Sequence, residues 1–171
     1  SAEVACLAKL EIVKIDHHIL LCSDTYQGRE AAEGVADWIR ARGGSVEVRV
    51  LASLSTRSVS DFQAGMGSLA DFCTRDLSGY RQNGYRIVFN LVGGFKTMVA
   101  YASVFGMLYA DEQVYLFESA GSPLLTVPSL PLKLDARPVL REHQATVRRL
   151  VASLPNDDPA LAALPSGFVE R

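Results

Sequence analysis

Hydrophobic residues along this chain fall into two alternating patterns. Short compact apolar runs, typical of strands buried on both faces, occur at 19–22, 46–51, 85–89 and 113–117. Stretches in which apolar residues recur every three or four positions predict helices over 1–10, 28–42, 61–78 and 97–109. Ser1 is placed to cap the first of these helices. Strands that alternate with helices predict an α/β fold, a Rossmann-like, mainly parallel sheet with helices on both faces.

The pattern changes after Ser122. Residues 124–134 contain prolines, which favours a β-ribbon or an extended edge over a central strand. One amphipathic helix is predicted over 137–154, and a Pro- and Ala-rich tail follows from Pro155. We therefore expect one domain over 1–134 and a C-terminal helix and tail over 135–171.

Composition limits the possible functions. With 171 residues, 49% hydrophobic and 21% charged, the chain is long and apolar enough to bury a substantial core. Its formal net charge of −2 supplies no overall field for duplex DNA, so an anion would have to be held by a local arrangement. Apolar runs are too short for a membrane span, and the three cysteines read as buried thiols, so we expect a cytoplasmic protein.

The candidate chemistry lies where strands end. In open parallel sheets, ligands bind at the carboxyl ends of strands, and three predicted strands here end in polar residues. These residues are Ser23, Asp24 and Thr25 after the first strand, Asn90, Gly93, Gly94, Phe95 and Lys96 after the third, and Glu118 and Ser119 after the fourth. Glycines let backbone N–H groups approach a ligand, and the helix that follows adds partial positive charge to that of Lys96. The arrangement favours a phosphate or phosphodiester site, although it matches neither the dinucleotide-binding nor the Walker pattern.

Each feature also has a purely structural interpretation. The glycine pair alone can serve as a tight strand-to-helix turn, and Lys96 alone can be solvated. The segment 23–25 can cap the next helix, and Glu118 can be a surface acid. A ligand site is favoured only because all of these residues are predicted to lie at the same edge of the sheet.

Other candidate sites are weaker. The pair His17-His18 lacks a cysteine or acid at ligand spacing, so no metal is expected. Ser23 lacks the glycine-flanked turn of a hydrolase nucleophile. Arg137 and His143 have the spacing of a helical ribonuclease signature, but only one long helix is predicted around them, so a solvated helical face is the default. No cofactor is expected.

Five segments resemble one known family. They are SAE at 1–3, ILLCSDTYQGREAAEGVADWI at 19–39, FNLVGGFKTMVAYASVFGMLY at 89–109, VYLFES at 114–119 and VPSLPLKL at 127–134. In this order and spacing they resemble the CRISPR-associated Rossmann-fold (CARF) domains of type III CRISPR systems. The resemblance extends to about Leu134.

The resemblance implies a homodimer that holds cyclic oligoadenylate, a ring-shaped RNA second messenger, with cyclic tetra-adenylate the expected ring. Some members are ring nucleases that cut the ring without metal by attack of a ribose 2′-hydroxyl. The motif assigns ligand binding to Asn90, Gly93, Gly94, Phe95 and Lys96, with Lys96 also the expected catalytic residue. Ser23, Asp24 and Thr25 match the family's second loop, where they either touch the ligand or shape the floor of the site.

The chain departs from the family pattern in two places. Family members begin with a further strand and a T-V-G-T-S-like loop before the SAE helix, whereas this sequence starts at that helix. Val92 stands where a Thr or Ser is common, which removes one hydroxyl from the loop. Three readings therefore stay open: a ring nuclease, a non-catalytic sensor that regulates an effector, and a nucleotide-binding α/β domain with another partner.

Overall fold

The computed structural model describes residues 1–54, 58–94, 96–117, 121–132 and 135–151. The strands are β1 (His17–Ser23), β2 (Ser45–Leu51), β3 (Val88–Asn90), β4 (Glu112–Leu116) and β5 (Leu124–Val127). The helices are α1 (Ala2–Lys9), α2 (Tyr26–Arg40), α3 (Val59–Asp71), α4 (Leu77–Gln82), α5 (Lys96–Tyr109), α6 (Arg137–Glu142) and α7 (Gln144–Val151). In these ranges, no helix combines the length and apolar character that crossing a bilayer requires.

The strands confirm a mixed α/β protein with parallel pairing. β1 pairs with β2 in parallel, with His17 opposite Ser45, and β3 pairs with β4 in parallel, with Val88 opposite Glu112. β5 adds to β4 in the antiparallel direction, at the outside of its sheet, in agreement with the edge expected there. The described strands form two hydrogen-bonded sheets, β1-β2 and β3-β4-β5. A single Rossmann-like sheet therefore stays a prediction.

One hydrophobic core serves both sheets. Its buried members come from the end of β2 and the segment after it, from α3 and the helical turn that follows, from the start of α4 and from the residue before β3, and include Leu51, Leu69 and Phe72. Ile19 of β1 and Phe89 of β3 both pack against this cluster. Because burial of apolar area is the main source of stability, the shared cluster holds the two sheets in one compact unit.

Alternate residues of β4 contact helices on opposite faces. Val114 and Leu116 form a second cluster with the fully buried Cys6 of α1. The residue before Val114, Gln113, is also fully buried and reaches the backbone of α5. Since successive strand residues point to opposite faces, α1 and α5 cover the two faces of this sheet, as the α/β pattern predicts.

Two predicted helices differ from the structure. The helix expected over 61–78 begins earlier and contains a π-helical turn at Phe72–Asp76 before it continues as α4. A π turn inserts one residue into the helical register, which a simple apolar spacing does not reveal. The single helix expected over 137–154 is two helices, because His143 leaves helical geometry at φ −106° and ψ 26°. Residues 152–154 and the tail from Pro155 lie outside the described residues.

The chain divides into two compact units, Ser1–Pro131 and Leu132–Arg171. In the second unit, α6 and α7 line a groove of about 380 Å³ whose lining includes Arg141 and Arg148. Arg137 begins α6 and holds the Asp135 carboxylate through both its Nε and its Nη2 atoms, at 2.8 and 2.9 Å. This pairing lowers the pKa of Asp135. It gives Arg137 a structural role at the start of α6.

Candidate functional site

The loop that follows β3 has a fixed backbone conformation. Asn90 ends the strand, and its Oδ1 accepts a hydrogen bond from the Val92 N–H at 3.0 Å, which turns the chain. Gly93 and Gly94 then have φ values of +104° and +79°. Residues other than glycine rarely adopt positive φ values, so the turn itself requires both glycines. Both glycines are exposed, so a ligand can reach the backbone of this loop from solvent.

The base of the loop is anchored in the core. Leu91 is buried, and its N–H donates to the Val114 carbonyl oxygen at 2.9 Å. Val92 packs against the cluster around Cys6. Burial raises the pKa of the Cys6 thiol, while the neighbouring Asn90 side chain acts in the opposite direction. Asn90 and Val92 therefore support the loop, and the exposed part begins at Gly93.

A carboxylate from the first helix lies against this loop. A Cβ atom placed on Gly93 would lie 2.9 Å from both Cγ and Cδ of Glu3, closer than such atoms approach in folded proteins. Glu3 thus occupies the space that a side chain at 93 would need. In the described part of the chain, the Glu3 carboxylate has no hydrogen bond or ion pair. Sequence reasoning missed this residue, because an acid in the first turn of a helix is common for reasons of helix stability alone.

Lys96 begins α5 directly after the loop. Its side chain is exposed, and no carboxylate lies within 4 Å of it among the described residues. The first N–H groups of a helix have no partner inside the helix, and they carry its partial positive charge. The loop therefore leads into a region of positive potential. Phe95, between Gly94 and Lys96, lies outside the described residues.

The segment after β1 has its polar groups bonded within the protein. Thr25 caps α2 by accepting from the Gly28 N–H at 3.1 Å, and its Oγ1 also bonds Ser23 Oγ at 2.7 Å. Asp24 accepts at 3.2 Å from the N–H of Ser53, which has a positive φ of 58°. This confirms the capping interpretation for Thr25. Any contact of these three residues with a ligand stays a prediction.

The predicted site residues thus form two groups. One contains Ser23, Asp24 and Thr25, and the other contains Asn90, Gly93, Gly94 and Lys96, with Glu3 added by the structure. No hydrogen bond or ion pair joins the groups within the described ranges. Glu118 and Ser119, expected at the same edge, lie outside those ranges.

The adjacent histidines have structural contacts. Nδ1 of His17 lies 2.9 Å from Ser45 Oγ, and its ring stacks on Tyr80 at 5.6 Å between centroids. Burial lowers the pKa of His18. Across the residues that the structure describes, no three side chains of the metal-binding types cluster together.

The fold and the loop together define a class: a mixed α/β protein with parallel strand pairs and a glycine-bearing turn from a strand to a helix that begins at an exposed lysine. Residues 1–130 match the family described as CRISPR-associated protein (Cas_APE2256). The chain belongs to this CRISPR-associated family. No curated protein sequence matches it.

Proposed function

We propose that this protein is a CARF-type sensor that binds cyclic oligoadenylate at the loop formed by Gly93, Gly94 and Lys96. The observation that carries the proposal is this exposed loop, with two consecutive positive-φ glycines leading into a helix that begins at Lys96, which has no ion-pair partner among the described residues. Membership of a CRISPR-associated family supports a ligand from that defence system. The preferred ring is cyclic tetra-adenylate.

The chemistry of the loop suits a phosphodiester. Backbone N–H groups of residues that carry no side chain of their own can approach phosphate oxygens, and the start of α5 adds a favourable dipole. Lys96 adds a full positive charge at the loop. With a net charge of −2 the protein as a whole does not attract anions, so this local charge matters. Asn90 and Val92 contribute by holding the turn. The hydroxyl absent at Val92 has limited consequence, since that side chain packs towards the core.

A homodimer is part of the proposal. The exposed positions of α5 follow helical spacing at Thr97, Ala100, Tyr101 and Val104, and the last two are 45% and 51% exposed. A helix that is apolar on all sides is normally buried. A second copy would cover this face and, by two-fold symmetry, would place two identical loops around one symmetric ring.

Cleavage of the ring extends the proposal. The ribose 2′-oxygen attacks the adjacent phosphorus and the bond to the 5′-oxygen breaks, leaving a 2′,3′-cyclic phosphate and a 5′-hydroxyl. The 2′-hydroxyl loses its proton, and the departing 5′-oxygen gains one. Lys96 would stabilise the negative charge on the pentacoordinate phosphorus, which is electrostatic catalysis. The alternative is a sensor that holds the ring intact and transmits the signal through a shift in the dimer.

The test incubates purified protein with cyclic tetra-adenylate in EDTA, followed by filtration and chromatography of both fractions. We expect the ring, or its linear products, to be retained with the protein. Lys96→Ala should weaken retention and abolish cleavage, whereas Lys9→Ala, which removes an exposed lysine from the end of α1, should change neither. Linear products identify a ring nuclease and an intact retained ring identifies a sensor. A ring that passes freely through the filter with wild-type protein contradicts the proposal.

A further inference from the structure

The Glu3 side chain lies against the backbone of the proposed phosphate loop. It fills the space beside Gly93, with Cγ and Cδ both 2.9 Å from where a Cβ would stand. α1 cannot move away easily, because Cys6, one turn further on, is fully buried against Val114 of β4. The backbone of Glu3 is therefore held beside the loop, and its side chain lies against Gly93.

An acid at this position disfavours a simple phosphate site. A carboxylate repels phosphate oxygens, and this one has no cationic partner or hydrogen-bond donor among the described residues to offset its charge. Its oxygens can only accept hydrogen bonds at neutral pH. A carboxylate at this position favours binding when the ligand carries a hydrogen-bond donor next to its phosphate.

A ring of ribonucleotides brings such a donor. In a 3′,5′-linked ring the 2′-hydroxyl is on the carbon adjacent to the one that carries the phosphate, whereas the adenine amino group is several bonds further away. A phosphate on the Gly93 and Gly94 backbone therefore places a 2′-hydroxyl nearest to a carboxylate beside that backbone. The 2′-hydroxyl is also the group that distinguishes RNA from DNA.

We propose that Glu3 is a specificity-determining residue that accepts a hydrogen bond from a ribose 2′-hydroxyl of the ring bound at Gly93 and Gly94. This inference rests on the proposed function and names the chemical feature that the site selects. Hydrogen bonds to charged groups contribute enough to predict a preference of about 10- to 100-fold for the ribose ring over its deoxyribose counterpart.

The test is calorimetric titration, in EDTA, of cyclic tetra-adenylate and its 2′-deoxy analogue into wild-type protein, Glu3→Ala and Glu3→Gln. Chromatography of each sample measures how much ring was cut, and where the ribose ring is cut, its affinity is taken from early-time competition against the deoxy ring, which lacks the attacking 2′-hydroxyl. Glu3→Gln keeps the volume beside Gly93 and removes only the charge. Glu142→Gln is the matched control, an exposed acid at the end of α6.

We expect wild-type protein and the control to prefer the ribose ring. Glu3→Ala should bring the two affinities to within about 2-fold of each other, and Glu3→Gln should give an intermediate preference. Neither Glu3 variant should weaken binding of the deoxy ring, because the lost group makes no bond to it.

Equal weakening of the binding of both rings would show that Glu3 only supports the loop and would overturn the inference. Equal affinity of wild-type protein for both rings would overturn it too, while the proposed function would stand. Failure of wild-type protein to bind either ring would instead contradict the proposed function.

Discussion

The side chain of Gln113 on β4 lies against α5 at the point where Gly106 has no side chain. A Cβ on Gly106 would lie 2.6 Å from Cδ of Gln113. The Gln113 amide nitrogen donates to the Ser103 carbonyl oxygen at 3.0 Å, and its oxygen accepts from the Met107 N–H at 3.2 Å. These two groups are one helical turn apart, so a buried amide fastens the proposed ligand-binding helix to the sheet.

Gly106→Ala should therefore destabilise the protein, although alanine favours helices. Overpacking a buried contact costs about 1–3 kcal/mol in the free energy of unfolding, and urea unfolding measures it. Gly34→Ala is the matched control, because nothing lies within 4 Å of a Cβ there, and it should stabilise by up to about 1 kcal/mol. In a Gln113→Ala background, the cost of Gly106→Ala should shrink; an unchanged cost would mean that the two residues are not coupled.

Gly65→Ala should also destabilise the protein, for a different reason. Its Cβ would lie 2.7 Å from the Ser53 carbonyl oxygen and 2.9 Å from the Leu54 Cα, and backbone atoms cannot rotate aside. We expect a loss of about 1–3 kcal/mol by urea unfolding. Gly67→Ala, two residues along α3 with open space around it, should be neutral or stabilising. Similar values for both substitutions would contradict the close approach of α3 to the end of β2.

Asp111 should contribute stability that depends on pH. Its Oδ2 accepts from the Ile87 N–H at 2.7 Å and its Oδ1 from Arg81 at 2.8 Å, and these bonds lower its pKa, the backbone bond most strongly. A carboxyl with a lowered folded-state pKa stabilises above its unfolded pKa of about 3.9 and loses that contribution as the pH falls through the folded value. Asp111→Asn should cost about 1 kcal/mol at pH 7 by urea unfolding.

The difference between wild type and Asp111→Asn should narrow as the pH falls below about 4, because the wild-type carboxyl then becomes protonated. Asp37→Asn is a suitable comparison, since Asp37 forms only an exposed ion pair with Arg40 and should contribute little. A gap between wild type and Asp111→Asn that is constant from pH 7 to pH 3 would contradict this account.

The three cysteines should resist modification in the folded protein. Cys6, Cys22 and Cys73 are free and buried, as the sequence predicted, and burial raises the pKa of Cys73 to about 12. Only the thiolate reacts readily, so a disulfide reagent should label none of them rapidly at pH 8 and all three after denaturation. Gln27→Cys, at an exposed position of α2, should supply one fast-reacting thiol. Rapid labelling of wild type would contradict the packing of Cys6 beneath the loop.

The exposed face of α5 should control self-association under the proposed function. Val104→Glu places a charge on a face that the proposed dimer buries and should yield monomers at concentrations where wild-type protein is dimeric, measured by sedimentation equilibrium. Val59→Glu is the control, because Val59 is 75% exposed in the first turn of α3, where an acid is well tolerated. A monomeric wild-type protein at about 100 times the concentration at which ring binding saturates would contradict a dimeric sensor.

Local signals in the sequence determined most of the elements. Ser1 and Thr25 cap helices as their side chains predict, and Gly93 and Gly94 form the turn that their missing side chains allow. Apolar spacing located the strands and the helices before and after them. These features depend on residues a few positions apart, so the sequence records them directly.

Only the tertiary structure decided what lies beside those elements. It placed Glu3 against Gly93, about ninety residues away in sequence, and it gave Asp24 a partner in Ser53. It also inserted the π turn at Phe72–Asp76, which apolar spacing did not reveal. An acid in a first helical turn has the same local pattern whether it faces solvent or a glycine loop. Its partner is set by how α1 packs on β4, and that packing depends on the whole core.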